Sequence, residues 1–81
     1  EIEILNNDDY ERYLKKKLIE EVNEFAEESC IEEICDILEV IDAWLELKGV
    51  SMEKVCKEKQ KKADERGKFQ ERILLKYITD Q

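Results

Sequence analysis

The chain contains no proline and only two glycines, Gly49 and Gly67, in 81 residues. Proline removes a backbone donor and fixes φ, and glycine is the other strong helix breaker, so a chain nearly free of both has few places to turn. The rest is dominated by Ala, Glu, Lys, Leu, Ile and Arg, residues that lose little side-chain freedom in a helix. These features predict an all-α fold, an antiparallel helical bundle of about four helices. Residues 1–5, Glu-Ile-Glu-Ile-Leu, alternate polar and apolar, and predict a short extended N-terminal arm.

Hydrophobic periodicity places the helices. Tyr10, Leu14, Leu18, Val22 and Phe25 recur at spacings of four and three, outlining a first helix from about Asp9 to Glu28. Asn7, Asp8 and Asp9 supply N-cap chemistry for it. Ser29 and Glu32 have the spacing of a capping box, predicting a second helix that runs to Lys48 and stops at Gly49. Its apolar set covers most of the circumference, from Ile31, Ile34, Ile37 and Leu38 through Ile41, Trp44 and Leu45. Such a helix needs more than one neighbour, and a chain of this size buries only about 60% of its unfolded surface. Both points predict a homo-oligomer, a dimer or tetramer. Ser51 can cap a third helix over Met52 to Glu65, broken at Arg66-Gly67-Lys68. Phe69, Ile73, Leu74, Tyr77 and Ile78 outline a short fourth helix. The whole reads as a single domain over residues 1–81.

Charge narrows the partners. The net charge is −8, which repels a polyanion and argues against nucleic acid. It is also uneven: residues 1–47 hold 16 acids and 4 bases, whereas residues 48–72 hold 5 acids and 9 bases. No signal peptide or membrane-length apolar run is present, so the chain reads as cytoplasmic with no membrane partner. Cys30, Cys35 and Cys56 lack a zinc-type pairing, and histidine is absent. That removes the usual zinc ligand and the usual general base.

Two carboxylate pairs carry the chemistry. Glu21 and Glu24 stand three apart near the end of the first helix, and Glu33 and Asp36 three apart near the start of the second. Three residues rotate about 300°, so each pair shares a face. In an antiparallel hairpin both pairs lie about a turn from the connection and converge. Clustered carboxylates repel unless protonated or neutralised, and hard oxygen ligands select Mg²⁺, Mn²⁺ or Ca²⁺. A Glu-x-x-Glu pair by itself says little in an acidic protein. Asp36 says more, since it interrupts the apolar run Ile34-Cys35-Asp36-Ile37-Leu38 and is expected to be buried there, where an unpaired acid is costly.

The stretch Tyr13-Leu14-Lys15-Lys16-Lys17-Leu18-Ile19-Glu20-Glu21-Val22-Asn23-Glu24-Phe25, followed by Glu32-Glu33-Ile34-Cys35-Asp36-Ile37-Leu38-Glu39-Val40-Ile41-Asp42-Ala43, resembles the MazG-like all-α nucleotide pyrophosphohydrolase superfamily. Its phosphoribosyl-ATP pyrophosphohydrolase-like branch is the most similar, and Lys61-Lys62-Ala63-Asp64-Glu65-Arg66-Gly67-Lys68-Phe69 resembles a later stretch of that branch. The resemblance covers about residues 10–76. It implies that Glu21, Glu24, Glu33 and Asp36 bind Mg²⁺ (or Mn²⁺). It further implies that water attacks the α-phosphorus of a nucleotide substrate, giving a nucleoside monophosphate and pyrophosphate. Glu20, with Glu21, is the candidate for handling the attacking water. Lys17, Lys62, Arg66, Lys68 and Arg72 are candidates to bind substrate phosphates, Lys17 foremost because it lies one turn before Glu21. Residues 1–12 lack the Lys-Leu-Val-Arg-Asp-Lys-Ile segment common in that branch, and Lys68 replaces a second glycine. A house-cleaning role on noncanonical triphosphates is the expected function. A non-catalytic interaction or regulatory module of the same fold is the alternative.

Overall fold

The computed structural model describes residues 2–67 and 69. Among them the chain forms three helices and no strand: α1 (Asn7–Glu27), α2 (Ile31–Lys48) and α3 (Met52–Arg66). The all-helical expectation holds. The fourth helix expected near residues 69–78 lies outside the described residues. Ile2–Asn6 carry no regular secondary structure.

The caps follow local chemistry, with two corrections. At α1 the capping residue is Asn6, one position before the candidates in the sequence, and its Oδ1 accepts from the Asp9 amide at 2.8 Å. Asp8 and Asp9 are thereby left in the first turn, where they complement the helix dipole. At α2 the capping residue is Cys30, which makes no side-chain cap. Ser29 does not form the expected capping box, because its Oγ donates backwards to the Phe25 carbonyl at 2.9 Å and closes the end of α1 instead. The other ends match their signals. Gly49 takes the left-handed conformation, φ 69°, and Ser51 Oγ accepts from the Lys54 amide at 3.1 Å.

α1 and α2 pack along one another, and α3 scarcely touches either. Glu11 on α1 meets Trp44 and Lys48 on α2, whereas Glu21 meets Asp36, so the pair is an antiparallel hairpin closed by the short link Glu28–Cys30. Leu14 and Leu45 are the buried hydrophobic residues, with Tyr10, Leu18, Phe25, Ile37, Val40 and Trp44 half-buried around them. The expectation that α2 is enclosed on most sides is not met among the described residues: Ile31 is 78% exposed, Leu38 48% and Ile34 40%. One hairpin seam covers one side of a helix, and α3 does not fold back to cover the rest.

The open end of the hairpin is held by a polar clamp that sequence pattern did not reveal. Glu11 Oε2 accepts from the Trp44 indole at 3.1 Å, and its Oε1 lies 2.9 Å from Lys48 Nζ. Lys15 adds a looser contact at 3.6 Å. The Lys48 and Trp44 hydrogen bonds hold the Glu11 carboxyl below the ordinary carboxylate range.

Candidate metal centre

The linked end of the hairpin is acidic against local preference. α1 has no basic residue in its last turn, although the negative end of a helix dipole favours cations there. It carries Glu20, Glu21, Glu24 and Glu27 instead, and Glu28 follows at the cap. A local rule broken in this way is expected at a functional site.

The hairpin turns part of that excess inward. Glu21 is only 5% exposed, the single buried polar residue among those described. One carboxylate oxygen from each of Glu21, Glu33 and Asp36 lies within 4.8 Å of the others. Glu24 stands one turn from Glu21 and raises its carboxyl, and its charge also reaches Glu33. Antiparallel packing thus brings together three acids of the two pairs, with the charge of Glu24 close enough to act on Glu21 and Glu33.

Their electrostatics are unfavourable as they stand. Burial raises the Glu21 carboxyl above its ordinary value, and Glu24 and Asp36 push it further, with Lys17 opposing. Burial also raises Glu33, with Glu24 and Asp36 adding to the effect. Glu33 Oε2 is shielded from solvent and has no hydrogen-bond partner among the described residues. A buried acceptor left unpaired is expensive, and an adjoining cluster of anions offers it no donor. A divalent cation would satisfy that oxygen and relieve the mutual repulsion together. The donor set, all carboxylate oxygen, suits a hard cation such as Mg²⁺ or Mn²⁺, so the residues present fit the ion.

One expectation is corrected here. Asp36 is exposed, and the buried acid is Glu21. Each helical residue advances about 100°, so Asp36 sits on the flank of α2 while its neighbour Ile37 turns into the seam. The apolar residues around Asp36 in sequence are therefore not its surroundings in space. Its place beside Glu21 and Glu33 is what gives it significance.

The other candidates divide by element. Lys17 lies on the carboxylate side of α1, half-buried, with Nζ 3.8 Å from Glu20 and its charge felt by Glu21. Glu20 is more exposed and stands outside the three-carboxylate group. Lys62 and Arg66 are exposed on α3, which does not pack on the hairpin. Lys68 and Arg72 lie outside the described residues.

No family model matches this chain, and no curated protein or solved structure is similar to it. No helix among the described residues is long and apolar enough to cross a membrane.

Proposed function

We propose that this chain is a divalent-cation-dependent nucleotide pyrophosphohydrolase, acting on a noncanonical nucleoside triphosphate. The observation that carries the reading is the solvent-shielded, unpartnered Oε2 of Glu33, a residue whose carboxylate lies together with those of Asp36 on the same helix and Glu21 across the hairpin. The MazG-like resemblance of the same residues supplies the reaction.

In this reading Glu21, Glu33 and Asp36, with Glu24, hold Mg²⁺ or Mn²⁺. The bound ion supplies Lewis acidity and a template for phosphate oxygens. The reaction is hydrolysis of the α–β anhydride: a water oxygen bonds to the α-phosphorus, the bond to the bridging oxygen breaks, and pyrophosphate leaves. Glu20, exposed beside the cluster, accepts the proton of the attacking water. Lys17 places a fixed cation next to the carboxylates, where negative charge builds on the leaving group. Its ion pair with Glu20 holds both side chains on the same flank of α1.

The chain acts as a homo-oligomer in this proposal. On the side of the hairpin away from the carboxylates, helical rotation groups Val22 of α1 with Ile31, Ile34 and Leu38 of α2, all substantially exposed. A second hairpin on this face would complete a four-helix arrangement. The same exposed face favours the second reading, a non-catalytic module that binds a different protein there.

Pyrophosphate release from a panel of canonical and modified nucleoside triphosphates, with Mg²⁺, separates the two. The hydrolase reading expects release by the wild type and its loss in Asp36→Asn. Release from no nucleotide, with a fold unaffected by Mg²⁺, would leave the interaction module.

A further inference from the structure

A second feature lies on the same side of α1 as the carboxylates. Glu3, Ile4, Leu5, Tyr10 and Tyr13 line an open recess of about 630 Å³ where the segment before α1 meets the first turns of that helix. Tyr10 packs one side of its ring at the edge of the core, whereas Tyr13 is 51% exposed and Ile4 92%.

Helical spacing ties the recess to the metal centre. Tyr13, Lys17 and Glu21 follow one another at intervals of four, and Tyr10, Lys17 and Glu24 at intervals of seven, so both rows run along one stripe. The stripe passes from two phenol rings, over one ammonium group, to the carboxylates. Eight residues separate Tyr13 from Glu21, about 12 Å of helix. That distance suits an extended nucleotide with its phosphates over Lys17 and the acids and its sugar crossing towards the tyrosines.

We infer that the recess formed by Tyr10, Tyr13, Ile4 and Leu5 is the nucleobase site, and that Glu3 makes it select a base with an exocyclic amino group. The inference rests on the nucleotide reading above. A base presents a flat face to which phenol rings stack without regard to sequence, and the two aliphatic side chains offer further cover. A carboxylate such as that of Glu3 accepts hydrogen bonds and donates none, so it pairs with the amino groups of cytosine and adenine and repels the carbonyl that uracil presents in the same place.

The test uses the full chain with ring-labelled tyrosine, without divalent cation, titrated with cytidine, adenosine and uridine. The expected result is a saturable shift of the Tyr10 and Tyr13 ring signals with cytidine and adenosine, and a weaker response to uridine. Tyr13→Ala, at a half-exposed position, keeps the helical circular dichroism and weakens nucleoside binding about 5- to 150-fold, the range expected for losing one stacking partner. Glu3→Gln narrows the preference for cytidine over uridine. Ring signals that ignore every nucleoside, or binding unchanged in Tyr13→Ala, would overturn the assignment. The hydrolase reading fails separately. Pyrophosphate release whose kcat/KM is the same for cytidine and uridine triphosphates, in wild type and Tyr13→Ala alike, overturns the base site and leaves the hydrolase intact. Ring shifts without any pyrophosphate release sustain the base site and remove the hydrolase.

Discussion

Leu14→Ala removes a large part of what holds the hairpin together, and its effect can be worked from the packing. Leu14 is 4% exposed and lies on α1 between the Glu11 clamp and the carboxylates. The substitution deletes three carbons, worth about 2.4 kcal/mol at about 0.8 kcal/mol for each buried methylene. A cavity term is added in rigid cores, where Leu→Ala costs about 2.7–5.0 kcal/mol. Here the surrounding side chains are only half-buried and can collapse into the space, so the low end applies, about 2.5–3 kcal/mol. A chain of 81 residues has a total stability of about 4–12 kcal/mol. The loss is therefore a large fraction, and would lower Tm by about 10–20 °C. Urea denaturation followed by far-ultraviolet circular dichroism measures it, with Lys16→Ala, at an exposed position away from both the seam and the apolar face, as the control expected to stay within about 0.5 kcal/mol. A cost for Leu14→Ala below about 1 kcal/mol would refute the view that the α1–α2 seam carries the fold.

Three further outcomes are expected. In metal-free protein Glu21 and Glu33 have folded values raised above the ordinary 4.5. Their contribution is therefore fully present below that pH and is lost as pH rises through the raised values. Thermal melts across that window should show stability falling, with a shallower fall in Glu21→Gln. Glu11 has the opposite sign: its value is depressed, so its contribution is present above 4.5 and lost as pH falls through the folded value. Glu11→Gln should flatten that acid limb in the same melts. Leu38→Glu places a charge on the exposed apolar side of α2, and sedimentation should then report monomer where the wild type is oligomeric; an unchanged mass would clear this face of any role in assembly.

What could be read from the sequence was mostly local. The stop at Gly49, the cap at Ser51 and the break at Gly67 each depend on a few adjacent residues, and each stands in the structure. Ser29 shows the limit of such reasoning. Its side chain can serve the helix before it or the helix after it, and the backbone carbonyl of Phe25 takes it. That Glu21, Glu33 and Asp36 would come together was legible because a short link forces an antiparallel hairpin, which fixes their height. Which acid is buried was not legible, because that depends on how α1 and α2 are rotated about their axes, and the rotation is set by the packing of Leu14 and Leu45. The same holds for the Glu11–Trp44 pair, whose members are 33 residues apart and carry no shared pattern. The tyrosine recess was hidden for another reason: Tyr10 reads equally well as a core position, and only the placement of Glu3–Leu5 beside it makes a cavity.

If the carboxylate cluster is a divalent-cation site, the metal-free chain must bind such an ion saturably. Titration of the metal-free chain with Mn²⁺, followed by electron paramagnetic resonance of the free ion, tests that directly. Saturable binding by the wild type, competed by Mg²⁺ and weakened in both Asp36→Asn and Glu33→Gln, is the predicted result. Free Mn²⁺ that never falls below the total added, or binding equal in all three proteins, would contradict it.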